Sequence, residues 1–309
     1  MSTEQVAKLT MQEQFRVGIT SGQLDVVEKI IDTTPSLLHC IDKNGTTPLI
    51  LCAAYGHIDV LKYLIKQGAS VEQRRKTGKT ALFFAAQAGH LAVVQELLRN
   101  GASIDYGANI KEAATSLFIA SQCGCVDIVT EMASFRPALN ASIQDGATPL
   151  FVASQNGHTG VILRLLNSGA SVNRCRKDKT SPLWIACQMG HSDVVKLLLY
   201  AGASIDLSRE DGSTPLFKAC HKGHVRVVEH LLNHHIKPDL GLLKNGQSAL
   251  HGACLFGHLN IVKLLVQAGA QVNIRNQDGY LPSELAELGQ FSEIQSYFSS
   301  QNQLYSTAV

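Results

Sequence analysis

Histidine and cysteine are the residue types that could bind a metal ion or supply a nucleophile, and the chain has 12 histidines and 8 cysteines. His230, His234 and His235 form the one histidine cluster. On a helix His230 and His234 would share a face, with Asp239 as the nearest carboxylate. Because no cysteine or second carboxylate completes a tetrahedral set, a solvated helix end is the preferred interpretation. We predict no catalytic residue, no metal site and no cofactor.

Most of the other candidate residues recur in register. Glycine–histidine pairs occur about 33 residues apart, and one Gly-Cys pair fills the gap in the series. A residue repeated in this way indicates architecture, so we expect the histidines to form hydrogen bonds in the turn between two helices. The glycines of the series are Gly56, Gly89, Gly124, Gly157, Gly190, Gly223 and Gly257.

Three cysteines also share a register position, which other repeats fill with alanine or serine. Cys187, Cys220 and Cys254 are expected to pack between helices as small apolar residues. Cys123 and Cys175 fall at predicted surface positions and are the better candidates for reactive thiols.

The elements that position these residues follow from the same register. Each glycine is preceded by a threonine or serine that predicts a helix N-cap, often followed by proline and then leucine. The glycine predicts a left-handed residue that ends this short helix, and an apolar stripe after it predicts a second helix. The predicted N-caps are Thr47, Thr80, Thr115, Thr148, Ser181, Thr214 and Ser248.

This pattern of Thr-Pro-Leu segments and Gly-His pairs resembles the ankyrin repeat family. The resemblance implies an all-α ankyrin-repeat solenoid, in which stacked helix-turn-helix units alternate with β-turn fingers. We predict a single array over residues 8–300, between a tail at 1–7 and a disordered tail at 301–309. Its units are a degenerate cap at 8–41, repeats at 42–74, 75–109, 110–142, 143–175, 176–208, 209–242 and 243–275, and a C-terminal cap at 276–300.

Two departures from the pattern are expected to have structural consequences. Lys179 and Ala113 occupy the position where other repeats have the turn glycine, so a left-handed backbone there would be strained. In the C-terminal cap, Gln290 is predicted to replace the repeat's histidine and Leu281 its threonine.

Composition excludes several classes of function. With 27 Lys and Arg against 25 Asp and Glu, the formal net charge is +2, so we expect no nucleic-acid binding. No apolar run is long enough to span a bilayer, and MSTEQVAKLT carries no signal-type apolar segment. The cysteines lack disulfide-framework spacing. We therefore expect a monomeric intracellular protein, cytoplasmic with the nucleus as an alternative.

The resemblance implies a non-catalytic scaffold or adaptor that binds a protein or peptide on the concave face of the array. Gln87, Gln122, Gln155 and Gln188 share one position and could bond to an extended peptide, although glutamine is also simply a good exposed helix former. Basic turns could attract an acidic partner, although such turns are usually just solvated. The other candidates are Tyr55, Lys76, Lys79, Asn156, Lys177, Met189, His221, Lys222, Leu255 and Phe256.

Two alternatives remain open at this stage. The apolar candidates Tyr55, Leu255 and Phe256 could instead be covered by the capping repeats. The chain ends in Thr307-Ala308-Val309, which resembles a C-terminal ligand of PDZ domains, so Thr307 and Val309 could anchor an adaptor. A metal-binding protein built on the histidine cluster is the third and least favoured function.

Overall fold

A computed structural model describes residues 10–105, 114–234, 236–239 and 243–306, with side chains described as far as Gln301. This part of the chain contains 18 α-helices, a 3-10 turn at Pro35–His39 and no β-structure beyond an isolated bridge between Arg74 and Thr80. The predicted all-α repeat fold is confirmed. None of the helices in the described ranges is long and apolar enough to cross a membrane.

The helices come in pairs, which we call the first and second helix of each repeat. The pairs are α1 (Met11–Thr20) and α2 (Leu24–Thr33), α3 (Pro48–Tyr55) and α4 (Ile58–Lys66), α5 (Ala81–Ala88) and α6 (Leu91–Arg99), α7 (Ser116–Cys123) and α8 (Val126–Ala133), α9 (Pro149–Asn156) and α10 (Thr159–Asn167), α11 (Pro182–Met189) and α12 (Ser192–Tyr200), α13 (Pro215–Lys222) and α14 (Val225–Asn233), α15 (Ala249–Leu255) and α16 (Leu259–Gln267), and α17 (Pro282–Leu288) and α18 (Ser292–Ser306).

The first helices begin and end as the repeat register predicts. In α11, for example, the Ser181 hydroxyl accepts a hydrogen bond from the Trp184 N–H at 3.0 Å, and Pro182 occupies the first turn. The helix ends at Gly190, whose φ of 78° is in the left-handed region that favours glycine. Lys179, in the preceding turn, also has a positive φ, at 63°. Ala113 lies outside the described residues.

The second helices bury one apolar stripe each. Val60, Leu61 and Leu64 of α4 are almost fully buried, whereas Lys62 and Lys66 remain exposed. The same periodicity recurs in the later second helices, as expected for helices with one face in a core.

The chain forms two compact units, residues 1–149 with 167–170 and residues 150–166 with 171–309. We call them unit 1 and unit 2. The core of unit 1 includes Phe15, Leu61 and Leu97, and that of unit 2 includes Phe151 and Leu165. The assignment of a single array to residues 8–300 stays a prediction.

The repeat histidines join neighbouring repeats. In five of these residues the imidazole Nε2–H donates to a main-chain carbonyl near the end of the preceding first helix, rather than within its own turn. The histidines lie in the turn between two helices and form hydrogen bonds there, as expected, and the ring reaches back so that its acceptor is in the previous repeat. The bonds are His57 to Thr20 (2.9 Å), His90 to Ala54 (3.3 Å), His191 to Gln155 (3.0 Å), His224 to Gln188 (3.0 Å) and His258 to His221 (3.4 Å).

The same imidazoles lie directly against the left-handed glycines. A Cβ atom placed on Gly190 would lie only 2.7 Å from Nδ1 of His224, and one on Gly223 would lie 2.7 Å from Cε1 of His258. Glycine is thus required for two reasons, the positive φ and the approach of the ring. In the next repeat, Cys125 stands where a histidine ring would lie against Gly89. Its Sγ is 3.8 Å from where a Cβ of Gly89 would be, which leaves a larger gap.

The C-terminal cap shifts this contact by one residue relative to the sequence prediction. Gln290 has a φ of 58° and so occupies the glycine position, not the histidine position. Phe291 takes the place of the imidazole, because its ring lies 2.5 Å from where a Cβ of Gly257 would be. The last helix ends at Ser306, inside the segment predicted as a tail.

In two of the first helices a buried nitrogen donor ties the repeat to the next β-turn finger. Trp184 Nε1–H donates to the Ser213 carbonyl at 3.0 Å, and His251 Nε2–H donates to the Tyr280 carbonyl at 3.1 Å. Both donors occupy the same register position, three residues after the N-cap. His251 is fully buried, and its Nδ1 accepts the Ser248 N–H at 3.1 Å.

Replacing Cys125 with histidine should stabilise unit 1. The new imidazole would have the space beside Gly89 and a carbonyl at Gln87, which is the register equivalent of the acceptors in other repeats. One added hydrogen bond predicts a gain of about 1 kcal/mol in the free energy of unfolding, measured by urea titration. Cys125→Ala is the control, and a Cys125→His chain no more stable than this control would contradict the prediction.

Protonation of His251 should destabilise the fold. Burial lowers the pKa of His251, and its neutral form uses Nδ1 as an acceptor. Well above pH 6.5 the group contributes no pH dependence. As the pH falls below about 6.5 the unfolded chain takes up the proton first, so the free energy of unfolding decreases by up to about 1.4 kcal/mol per pH unit, until folded His251 titrates.

Urea titrations at about pH 7.5 and about pH 5.5 measure this loss. His251→Phe should show a smaller loss of unfolding free energy between the two pH values, whereas the exposed control His39→Phe should behave like the wild type. Equal losses in the wild type and His251→Phe would assign the pH dependence to other groups.

Candidate partner-binding surface

The structure places the predicted site residues in two kinds of location, the last turn of the first helices and the fingers. The helix-end group consists of Tyr55, Gln87, Gln122, Gln155, Asn156, Gln188, Met189, His221, Lys222, Leu255 and Phe256, and the finger group of Lys76, Lys79 and Lys177. All are exposed or half-buried. Thr307 and Val309 lie outside the described residues, so the C-terminal ligand stays a prediction.

Three large apolar side chains are exposed at one register position. Tyr55, Met189 and Phe256 each stand immediately before the left-handed glycine, with exposed fractions of 53%, 46% and 46%. The position lies at the very end of a first helix, where about half of the side chain stays exposed even when, as for Phe256, the ring also lies against the neighbouring repeat. Large side chains at such positions are therefore available to a partner.

The four glutamines lie one residue earlier in the register. In unit 1, Gln87 and Gln122 are exposed. In unit 2, Gln155 and Gln188 are half-buried, and their main-chain carbonyls accept the bonds from His191 and His224. The histidine contact therefore fixes the backbone that carries these side chains. An amide can both donate and accept, which suits it to contact a peptide backbone.

The basic fingers fold back over aromatic rings of the first helices. The Arg75 guanidinium lies 5.3 Å from the centre of the Phe84 ring, and Lys79 Nζ lies 4.5 Å from that of Phe83. In unit 2, Arg176 lies 5.4 Å from the Phe151 ring. Cation–π contacts of this length are attractive. Arg75, Lys79 and Arg176 are consequently half-buried, and the exposed finger cations include Lys76 and Lys177.

Sequence reasoning missed Arg209, the centre of an ionic cluster in unit 2. Arg209 Nε lies 3.1 Å from Asp178 Oδ2, its Nη1 lies 3.5 Å from Asp211 Oδ2, and its guanidinium lies 5.4 Å from the Trp184 ring. Burial acts to raise the pKa of Asp211, but hydrogen bonds from Ser213 and the charge of Arg209 hold it below its ordinary value. The spacing of basic and acidic residues in successive fingers was the available signal.

The first helix α13 presents a second group of cations. Lys218 Nζ lies 5.5 Å from the Trp184 ring, and Lys222 is exposed at the end of the helix. Between them, the His221 ring lies 4.3 Å from the Phe256 ring and 6.0 Å from that of Phe217. Burial, followed by the charges of Lys218 and Lys222, lowers the pKa of His221.

The residues considered for metal binding have structural contacts instead. Asp239 Oδ2 accepts the Gln271 N–H at 2.9 Å. Across the described ranges no three His, Cys, Asp or Glu residues are grouped so as to hold a metal ion. His235 lies outside those ranges.

The candidate cysteines have thiol pKa values above the ordinary value, which disfavours the reactive thiolate. Cys187, Cys220 and Cys254 are fully buried, as predicted, and burial raises the pKa of Cys254 to about 12. Cys123 is exposed and Cys175 is half-buried. The pKa values of both are raised by partial burial, so neither thiol is activated.

Comparisons with known proteins find matches of limited length. Ankyrin repeat domain-containing protein 29 from Homo sapiens is 52% identical over 50 residues, 16% of this chain and 17% of that protein. Alpha-latrotoxin-Lt1a from Latrodectus tredecimguttatus is 47% identical over 53 residues, 17% of this chain and 4% of the toxin. Notch-regulated ankyrin repeat-containing protein B from Danio rerio is 36% identical over 64 residues, 21% of this chain and 58% of the relative.

Each of these matches spans less than two thirds of the relative's length. At the level of the family the match is far more extensive. The family described as ankyrin repeats in three copies matches residues 17–110, 117–209 and 183–276. These ranges cover most of the paired helices and their left-handed glycines, and the chain belongs to the ankyrin repeat family.

Proposed function

We propose that the protein is a non-catalytic scaffold that binds a protein partner through the exposed ends of its first helices and the adjacent fingers. Ankyrin repeats are generally protein–protein interaction modules. The observation that carries the proposal for this chain is the exposure of Tyr55, Met189 and Phe256 at one register position.

The position before the left-handed glycine is free to vary without cost to the fold. Ala88, Cys123, Asn156 and Lys222 occupy it in other repeats, so no particular side chain is required there. Exposure of an aromatic or methionine side chain to water at such a site does not stabilise the fold. The same side chain can contribute strongly to the free energy of binding at a protein interface. Selection for a partner accounts for the large apolar residues better than selection for stability does.

The amides complement these anchors. Within unit 1, Gln87 and Gln122 are exposed, and within unit 2, Gln188 precedes Met189 directly. A side chain that donates and accepts can satisfy the polar backbone of a bound segment while the neighbouring apolar side chain buries its surface.

The chemistry of the histidines also favours a binding role over catalysis. Nε2 of His57, His90, His191 and His224 is each committed to a main-chain carbonyl of the preceding repeat. A general base needs a nitrogen lone pair directed at a substrate. In these residues the imidazole instead supports the backbone of the binding surface.

The test compares two matched pairs of substitutions in unit 2. Met189→Asp with Phe256→Asp removes two helix-end anchors. Leu163→Asp with Tyr200→Asp removes two exposed apolar side chains from second helices, with exposed fractions of 46% and 90%, and adds the same charge. Wild type and both variants serve as baits in a native cell lysate, and mass spectrometry quantifies the retained proteins.

We expect partners to be lost from the Met189/Phe256 variant and kept by the Leu163/Tyr200 variant. Circular dichroism must show the same helix content for all three baits. Equal retention by all three, or loss only from the Leu163/Tyr200 variant, would contradict binding at the helix ends. The amount of each partner retained by the three baits is compared by isotope-labelled quantification, so that a partial loss of binding is also detected.

A further inference from the structure

The end of α13 and its neighbour in the next repeat form a patch that differs from the other helix ends of unit 2. Lys218, His221 and Lys222 lie three and four residues apart, so they share one helix face. Phe256, at the end of α15, lies against His221 with ring centres 4.3 Å apart. We call these four residues the lysine–histidine patch.

The two lysines of the patch have no direct ion-pair partner in the part of the chain that the structure describes. Within the described ranges neither Lys218 nor Lys222 forms a salt bridge, whereas Arg209 nearby contacts both Asp178 and Asp211. Like charges four residues apart on a helix destabilise it slightly. Burial, followed by the charge of Lys222, lowers the pKa of Lys218, and the charge of Asp211 offsets this lowering only in part.

His221 adds an unsatisfied polar atom to the patch. Its Nδ1 is buried and has no hydrogen-bond partner among the described residues. Its ring lies between Phe217 and Phe256, at 6.0 Å and 4.3 Å. An acceptor that approached the end of α13 would meet the ammonium groups of Lys218 and Lys222 next to the exposed Phe256 ring, which lies against His221.

We propose that the lysine–histidine patch binds a carboxylate-rich peptide segment of the partner, with an apolar side chain of that segment seated on Phe256. The inference rests on the proposed function and specifies the chemistry of the partner. Carboxylates complement the unpaired ammonium groups, and the phenylalanine ring, 46% exposed, supplies the apolar contact.

The surroundings favour a peptide over a nucleic acid. Asp178, Glu210 and Asp211 lie in the fingers of the same unit. The Glu210 N–H donates to the main-chain carbonyl of Asp178 at 3.2 Å, which joins the two fingers. A polyanion that ran along the surface would meet these carboxylates. Arg209, the cation best suited to clamp a phosphate, already contacts two aspartates. A short segment with local negative charge avoids that repulsion.

The probe is a displayed library of random peptides of about a dozen residues, a length chosen to cover one anchor and its flanking charges. The full chain is the target for selection. The test variant is Lys218→Gln with Lys222→Gln. The matched control is Lys196→Gln with Lys263→Gln, which removes the same charge from the second helices α12 and α16. The Met189→Asp/Phe256→Asp chain is a third target, and thermal melts confirm folding of every variant.

We expect the selected peptides to be enriched in Asp and Glu around an aromatic or aliphatic residue. Fluorescence anisotropy should show about tenfold weaker binding to the Lys218/Lys222 variant, as two half-exposed ion pairs imply, and unchanged binding to the control. The substitutions remove both a repulsion between the lysines and the contact of Lys218 with the Trp184 ring, so the thermal melt serves as a check that the variant is folded.

Other results would overturn the inference and separate it from the proposed function. Selected peptides without acidic enrichment that still lose binding to the Met189/Phe256 variant would refute the acidic partner and keep helix-end binding. Acidic peptides that bind the Lys218/Lys222 variant as well as the wild type would refute the patch. Tighter binding of a single-stranded RNA than of any selected peptide would also overturn it. Peptides that bind all variants equally would refute both proposals.

Discussion

The contact between an imidazole and the left-handed glycine of the preceding repeat is the interaction on which the structure depends. A pair of short helices cannot bury enough apolar surface to offset the entropy of ordering its residues, so each repeat must pack on its neighbour. The histidine sets that packing, because its Nε2–H bonds to a carbonyl while its ring occupies the space left by the glycine's missing side chain. His191 and Gly157 illustrate the arrangement in unit 2.

This constraint separates residues that determine the fold from residues that can determine a partner. The glycine position requires a left-handed backbone, and most N-caps supply a hydroxyl, but the residue just before the glycine is under neither constraint. Tyr55, Met189 and Phe256 lie there. The backbone beside Tyr55 and Met189 is held by the bonds from His90 and His224, and beside Phe256 the ring of Phe291 packs against Gly257 instead. A variable side chain is therefore presented on a rigid helix end. Rigid presentation reduces the entropy lost on binding.

The sequence predicted local features better than contacts between repeats. N-caps such as Ser181 and the left-handed backbone of Lys179 depend on adjacent residues, and both were predicted from the register. The acceptors of the histidines were not predicted, because each acceptor lies about one repeat away along the chain. Gln290 was assigned to the wrong register position, since only the position of Phe291 against Gly257 reveals the shift. The cations over aromatic rings, such as Lys79 on Phe83, likewise need the folded geometry.

One buried register position connects the core to the surface charge of unit 2. Trp184 and His251 both donate a side-chain N–H to the next finger. An indole and an imidazole can therefore both form this hydrogen bond. The indole differs in offering a large ring face, and Arg209 and Lys218 both lie over it. Arg209 forms salt bridges to two aspartates there, whereas Lys218 forms none among the described residues and lies four residues from Lys222 on the same helix. The identity of a core residue thus helps to position the unpaired charge that a partner would meet.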